Sequence, residues 1–238
     1  MKQKWRNQRP VLGLRPYVWA FLAMQYSGMA LLLFAGAGTL HWTGGWAFLI
    51  LFALANTALC IRLERRDPAL VSERLNVFPR RGQPLLDRIL FAIFLLLVDT
   101  WMILAGIEAG RLHGPAFPSA IEILGAIVML ASIWACYEVM NFNAYLAPTV
   151  RIQDDRKHQV VTTGPYRYVR HPFYAALIPF FFGGAALMGS RWSMAVAFAI
   201  ALLFAFRITR EEGHLQHHLE GYEAYRKTVR YRLIPLVW

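Results

Sequence analysis

The sequence has few charged residues, few cysteines and no repeat or low-complexity tract, and each shortage excludes a class of protein. Charged residues make up 16% of the 238 residues, whereas apolar residues make up 57%. A chain this apolar has enough surface to bury that disorder is excluded. Two cysteines, Cys60 and Cys136, are too few for a disulfide scaffold and lack the spacing of a zinc site. Acidic residues are also scarce, so the formal net charge is +11.

The apolar residues come in long runs rather than in the periodic stripes of soluble helices. A membrane-spanning helix needs about 20 apolar residues, with a range of roughly 17–25. Six runs approach this length: Tyr17–Leu40, Gly45–Ile61, Ile89–Ile107, Ile121–Val139, Phe173–Met188 and Trp192–Ile208. The last two are the shortest and predict a tilted or partly interfacial hairpin. The sequence therefore predicts an all-α, multi-pass transmembrane protein with about six hydrophobic helices.

The basic residues are distributed unevenly over the segments that connect these runs. Of the 25 Lys and Arg residues, 23 lie on the side of the N-terminus, and only Arg111 and Arg191 lie on the other side. Cytoplasmic loops carry an excess of Lys and Arg, so both termini are expected to be cytoplasmic in a protein of the cell membrane. Most of the charge is explained by this orientation and by contact with the lipid bilayer. Nucleic-acid binding is not expected, because no polar domain presents the charge.

One membrane domain over 1–238 accounts for the whole sequence, and its chemistry is concentrated near the C-terminus. The transmembrane helices of 1–139 are followed by 140–238, where polar segments flank the short hairpin. These segments, 140–171 and 209–235, are expected to lie side by side. The second of them predicts an amphipathic helix on the cytoplasmic surface, because aromatic and basic residues alternate in it.

The densest cluster of chemically useful residues precedes the hairpin. It reads His158-Gln-Val-Val-Thr-Thr-Gly-Pro-Tyr-Arg-Tyr-Val-Arg-His-Pro-Phe-Tyr174. Pro172 suits the first turn of a helix, which places Arg170 and His171 at the helix entrance on the membrane surface. After the hairpin come Glu211 and Glu212, and adjacent carboxylates require a cation or hydroxyl that uses them.

Two further groups of polar residues suggest other functions, metal binding and transport. The histidines of the segment His214–His218 have a spacing found in metal sites, but too few further ligands exist elsewhere in the sequence, so no metal is expected. Asp99 lies within an apolar run, where an ionised group is costly and often functional. A transporter or assembly factor built around Asp99 therefore remains a non-enzymatic alternative.

The cluster before the hairpin, followed by Glu-Glu and by a Tyr-x-x-Tyr segment, resembles the isoprenylcysteine carboxyl methyltransferase family, which includes related phospholipid methyltransferases. The resemblance is strong over 141–235 and weaker over Asp67–Arg74. It implies a multi-pass enzyme that binds S-adenosylmethionine (SAM) from the cytoplasm and takes a lipophilic substrate from the bilayer. The positions that it implies for the cofactor are His158, Val160, Val161, Gly164, Tyr166, His171, Pro172, Tyr174, Glu211 and Glu212.

The resemblance also suggests roles in catalysis and substrate binding. Arg170 and Glu211 are the candidates for catalysis, and Glu138, Asn141 and Tyr225 are the candidates for contact with the substrate. The sequence does not decide which chemical group accepts the methyl group. A carboxylate, such as that of an S-isoprenylcysteine, needs no general base, whereas an amine or a thiol needs a proton acceptor. A second enzymatic alternative is a sterol-type membrane reductase that uses NADPH.

Overall fold

The computed structural model describes residues 15–75, 85–114, 117–146 and 159–238. The described residues form helices and turns and contain no β-strand. The α-helices are α1 (Pro16–Ala37), α2 (Thr43–Arg66), α3 (Pro68–Leu75), α4 (Leu85–Gly106), α5 (Ser119–Phe142), α6 (Pro172–Leu187), α7 (Arg191–His218) and α8 (Tyr222–Thr228). A π-helical turn, Ile107–Arg111, continues α4, and a 3-10 turn, Gly164–Arg167, precedes α6.

In the described part of the chain, five helices are long and apolar enough to cross a membrane: α1, α2, α4 with its π-helical turn, α5 and α7. The shorter apolar helix α6 has 16 residues. The prediction of an all-α, multi-pass membrane protein is thus confirmed. The second arm of the hairpin is longer than its apolar run, because α7 continues past Ile208 to His218 and has 28 residues. The amphipathic helix predicted after it is a separate short helix, α8, which follows a turn at Gly221.

Aromatic side chains fill the centre of the helix bundle. Trp101 of α4 lies against Phe48 of α2 and Phe181 of α6, with ring centroids 5.4 Å and 5.6 Å away. On one side of this core α5 and α6 pack very closely, and a Cβ at Gly183 would lie 2.7 Å from the carbonyl oxygen of Gly125. Only glycine allows such an approach of two backbones. This close packing fixes the position at which α6 begins.

Buried ion pairs join the helices at the end of the bundle where α6 begins and α7 ends, here called the motif end. Arg15 donates to Glu64 Oε2 at 3.0 Å, which joins the start of α1 to the end of α2. Arg207 Nη2 of α7 donates to Asp87 Oδ1 of α4 at 2.9 Å. At the opposite end, Arg111 donates to the carbonyl oxygen of Gly36 at 2.7 Å. Four helix ends therefore meet at the motif end, beside the segment that leads into α6.

Candidate active site

The segment before α6 turns sharply at Gly164. This residue has φ +60°, in the left-handed region that favours glycine, and a Cβ there would lie 2.4 Å from Cδ1 of Phe142. In the 3-10 turn that follows, the side chain of Tyr166 is buried, and Asn143 Nδ2 donates to its hydroxyl at 2.8 Å. Gly164 thus positions the motif by its backbone conformation.

The next residues are held by the C-terminal segment of the chain. The backbone N–H of Arg170 donates to the carbonyl of Tyr231, and that of His171 donates to the carbonyl of Arg232, both at 2.9 Å. Pro172 then opens α6 at its first position, where no N–H is needed. The sequence predicted this helix start, whereas the pairing with the C-terminal segment depends on the tertiary fold.

Glu212 is the centre of a buried polar network. Its Oε1 accepts from Arg170 Nε at 2.6 Å and lies 3.2 Å from His171 Nε2. Its Oε2 accepts from Arg232 Nε at 2.9 Å. Arg170 Nη1 also donates to the carbonyls of Val229 and Arg230, each at 2.7 Å. The network locks the start of α6 to the end of α7 and to the C-terminal segment, so much of the donor capacity of Arg170 is already used.

Glu211, the neighbouring carboxylate, has different surroundings. Successive residues of an α-helix point about 100° apart, so the two side chains diverge. Oε2 of Glu211 accepts from the hydroxyl of Tyr174 at 3.0 Å, and Glu211 is half-buried. Its Oε1 has no hydrogen-bond donor among the side chains that the structure describes. Glu211 therefore faces an open space that Glu212 does not reach.

That space, here called the motif cavity, has a volume of about 360 Å³, within the range of small-molecule sites. Side chains from α3, α4, α6, α7 and α8 and from the segments before α6 surround it. The residues predicted for the site that line it are Val160, Val161, Tyr166, Arg170, His171, Tyr174, Glu211 and Tyr225. The sequence cluster and Glu211 of the Glu-Glu pair thus meet at one cavity.

Two tyrosines of α8 line the motif cavity in different ways. The hydroxyl of Tyr225 donates to the carbonyl of Tyr166 at 2.8 Å. The hydroxyl of Tyr222 is buried and has no hydrogen-bond partner among the residues that the structure describes. Burial raises the pKa of both hydroxyls, so each is a neutral donor at physiological pH. Tyr222 therefore offers a buried donor that nothing in the described chain satisfies.

A second space, here called the apolar cavity, lies between the membrane helices. Its volume is about 680 Å³, and residues of α1, α2, α4, α5 and α6 supply most of its apolar wall. Asp99, the residue of the transporter hypothesis, lies on this wall. Four side chains line both cavities: Arg74, Phe94, Phe173 and Leu177. The motif cavity and the apolar cavity therefore adjoin each other at these four side chains.

Five of the predicted site residues do not line either cavity. Gly164, Pro172 and Glu212 support the wall from behind. Glu138 and Asn141 lie near the end of α5, with Nδ2 of Asn141 3.5 Å from Oε2 of Glu138, and they line neither cavity, so their contact with a substrate stays a prediction. His158 lies outside the described residues.

Sequence reasoning missed several residues of the site. Arg74 lies in the weaker part of the motif, over Asp67–Arg74, which was the available signal. Asp87 precedes an apolar run, and its partner Arg207 is 120 positions away, so their pairing left no local pattern. Arg232 is one of many C-terminal cations, and nothing in the sequence distinguished it as a partner of Glu212.

The histidines near the end of α7 stack on each other, and the rings of His214 and His218 are 4.2 Å apart. Over the part of the chain that the structure describes, no group of three or more His, Cys, Asp or Glu could hold a metal ion.

Comparison with known proteins gives three similarities. The structure is similar to that of the eukaryotic intramembrane Ras methyltransferase ICMT (isoprenylcysteine carboxyl methyltransferase), at 20% identity and a TM-score of 0.45, covering 93% of this chain and 85% of that chain. Over 78 residues the chain is 38% identical to the protein-S-isoprenylcysteine O-methyltransferase of Schizosaccharomyces pombe, covering 32% of this chain and 33% of that relative. The match thus spans about a third of the relative's length. Residues 120–221 match the phospholipid methyltransferase family. The resemblance that the motif predicted is therefore confirmed for this membrane protein over residues 120–221, which carry the phospholipid methyltransferase family pattern.

Proposed function

We propose that this protein is an integral membrane methyltransferase that uses SAM and methylates the carboxylate of a lipophilic acceptor. The observation that carries the proposal is the pair of adjoining cavities. One is lined by the motif and carries several polar and charged side chains, and the other is almost entirely apolar and lies between the membrane helices. A polar cofactor and a lipid-like acceptor need two such spaces that meet.

The chemistry of the motif cavity fits SAM. The unpartnered hydroxyl of Tyr222 and the ring of His171 are donors suited to a carboxylate. Oε1 of Glu211 is an acceptor suited to an ammonium group or a ribose diol. The rings of Tyr174 and Phe204, with centroids 4.9 Å apart, present aromatic surface on which adenine packs or a sulfonium is attracted.

The residues of this chain act mainly by orientation. Bound SAM supplies an electrophilic methyl group on a sulfonium, and transfer to a carboxylate oxygen breaks the C–S bond, forms an ester and releases no proton. The hydrogen bond from Tyr174 fixes Glu211, and the Glu212 network holds the cavity wall formed by Arg170 and His171. Alignment of the reacting groups in a site that excludes water supplies much of the rate enhancement of such a displacement.

Two observations favour a carboxylate over an amine or a thiol. The S. pombe relative is named as an O-methyltransferase of an isoprenylcysteine. Among the described residues, the four that line both cavities include no Asp, Glu or His that would take a proton from an amine or a thiol at the junction; Glu211 and His171 line the motif cavity alone. The charge asymmetry of the sequence places the motif end, and with it the site, on the cytoplasmic side in this proposal.

Methyl transfer to a defined panel tests the function. The purified protein in lipid nanodiscs is incubated with methyl-labelled SAM and an S-farnesyl thioacetic acid, phosphatidylethanolamine or a long-chain thiol. The expected product is an ester of the acid, from which alkali releases the label as methanol. Label found only in an alkali-stable amine or thioether product would overturn the carboxylate assignment. Absence of transfer to every acceptor, with binding of NADPH but not of SAM, would overturn the methyltransferase itself.

A further inference from the structure

Arg74 lines the motif cavity, although it lies outside residues 120–221, which match the family. It lies on α3, which a helical cap and buried apolar residues hold in place. The backbone N–H of Leu70 donates to Asp67 Oδ1 at 2.9 Å, and Leu70 and Val71 are buried. Arg15 also donates to the carbonyl of Pro68 at 2.8 Å. Because α3 is held at its start and along its buried face, the backbone of Arg74 has a fixed position.

The guanidinium of Arg74 lies where the two cavities meet. It stacks on the ring of Phe173, with 4.6 Å between Cζ and the ring centroid. Of the four described residues that line both cavities, Arg74 is the only charged one. It is also the only Lys or Arg among the described residues that line the apolar cavity. Among the described residues, Arg74 is therefore the one cation that lines a mostly apolar space, and it lies where that space adjoins the motif cavity.

Other arginines of the motif cavity have anionic partners. Glu212 accepts from Arg170, and Asp87 accepts from Arg207. For Arg74 no carboxylate lies within ion-pair distance among the described side chains. Burial lowers the pKa of Arg74, since a guanidinium removed from water loses hydration. A partly buried cation without an anion is costly, and an anionic ligand at this place reduces that cost.

We propose that Arg74 binds the carboxylate of the lipophilic acceptor, whose hydrocarbon chain occupies the apolar cavity. The inference rests on the proposed function and adds the residue that recognises the acceptor. Arg170, the cation expected from the motif, already donates to Glu212 and to the backbone carbonyls of Val229 and Arg230. The guanidinium of Arg74 donates to no side chain or carbonyl among the described residues, and its planar set of N–H groups matches a carboxylate.

This arrangement also determines specificity. A fixed cation attracts a carboxylate and repels a protonated amine at the same place, so it selects acids by both attraction and repulsion. Arg74 is a binding and positioning residue in this scheme: it holds the acceptor at the junction, and no bond to it forms or breaks.

Binding of an acid and its neutral isostere tests the proposal without requiring methyl transfer. The probes are S-farnesyl thioacetic acid and S-farnesyl thioacetamide, and their affinities are measured with nanodisc-embedded protein. The wild type is expected to prefer the acid by about tenfold or more, as for a hydrogen bond between charged groups. Arg74→Gln should bring the ratio of the two affinities close to one, and Arg74→Lys should keep part of the preference. The affinity for SAM should be the same in all three proteins.

Arg62→Gln is the matched control. Arg62 is exposed on α2, lies over the ring of Trp134 at 5.5 Å and lines neither cavity, so the preference for the acid should persist. An unchanged preference in Arg74→Gln overturns the assignment, and so does a loss of SAM affinity, which would make Arg74 a cofactor ligand. If the wild type binds the acid through Arg74 yet transfers no methyl group, the proposed function fails while the binding site stands. If it methylates the acid and Arg74→Gln leaves KM unchanged, the reverse holds.

Discussion

Arg170 donates through Nε to Oε1 of Glu212 at 2.6 Å, across 42 residues of sequence, and both side chains are only 5% exposed. This ion pair joins the segment just before α6 to the last turns of α7. Arg232 donates to the other oxygen of the same carboxylate, so one buried anion accepts hydrogen bonds from two guanidinium groups. The pair therefore sustains the wall of the motif cavity.

Replacing Glu212 by Gln should destabilise the protein. The change leaves the buried Arg170 without a charge partner, and breaking such a pair costs about 3–5 kcal/mol. The apparent Tm should fall by on the order of 10 °C, measured by intrinsic tryptophan fluorescence in nanodiscs. Glu223→Gln, which removes an exposed carboxylate 3.7 Å from Lys227, should leave the Tm unchanged. Equal Tm values for both variants would contradict a structural role for Glu212.

The adjacent Glu211→Gln should have the opposite profile. Glu211 takes no part in the Glu212 network and lines the motif cavity, so the Tm without SAM should stay within 1–2 °C of the wild type, about the shift for a side chain outside the core. SAM affinity should fall about tenfold or more, since a charged hydrogen-bond acceptor is lost. Isothermal titration calorimetry measures this affinity. A Glu211→Gln variant that binds SAM as the wild type does would remove Glu211 from the cofactor site.

Tyr222→Phe and Tyr225→Phe should separate a ligand contact from a structural one. The hydroxyl of Tyr222 has no partner, so its removal should leave the Tm unchanged or slightly raised and should weaken SAM binding. The hydroxyl of Tyr225 donates to the carbonyl of Tyr166, so its removal should cost about 1 kcal/mol of stability. Calorimetry and thermal unfolding of both variants check the contrast. Wild-type SAM affinity in Tyr222→Phe would show that the hydroxyl does not contact the cofactor.

Gly164→Ala should disrupt the turn before α6. The alanine side chain meets both an unfavourable φ of +60° and the ring of Phe142 at 2.4 Å. Strain of this kind costs on the order of 1–3 kcal/mol, so the Tm should fall and SAM affinity should fall with it. Gly213→Ala is the matched control, because nothing lies within 4 Å of a Cβ there. Since Gly213 is inside α7, alanine there should stabilise the helix by up to about 1 kcal/mol.

Both alternative functions lead to distinct results in these experiments. A transporter built around Asp99 predicts that Asp99→Asn abolishes function while Glu211→Gln does not. Asp99 lies on the wall of the apolar cavity, so in the proposed methyltransferase Asp99→Asn should leave SAM affinity unchanged. A reductase predicts NADPH binding that Glu211→Gln alters. Titration of SAM and NADPH against the wild type distinguishes these cases.

The sequence alone determined the class of protein and the segments that carry its chemistry. Runs of about 20 apolar residues have few outcomes other than membrane helices, because no other structure satisfies every backbone group in lipid. Pro172 at the first position of α6 was readable because proline has a local preference for that position. The cluster over 158–174 and the Glu-Glu pair could be placed together because the hairpin between them forces proximity.

Only the tertiary structure decided the roles within the site. Glu211 and Glu212 are chemically identical in sequence, and helix geometry sends one to the motif cavity and the other to a buried ion pair. Arg74 reaches both cavities through the packing of α3, which no run or spacing in the sequence reveals. Pairing across 120 residues, as between Asp87 and Arg207, depends on how the helices pack. Local preferences act within a few residues of the chain, whereas these contacts join residues that are close only after folding.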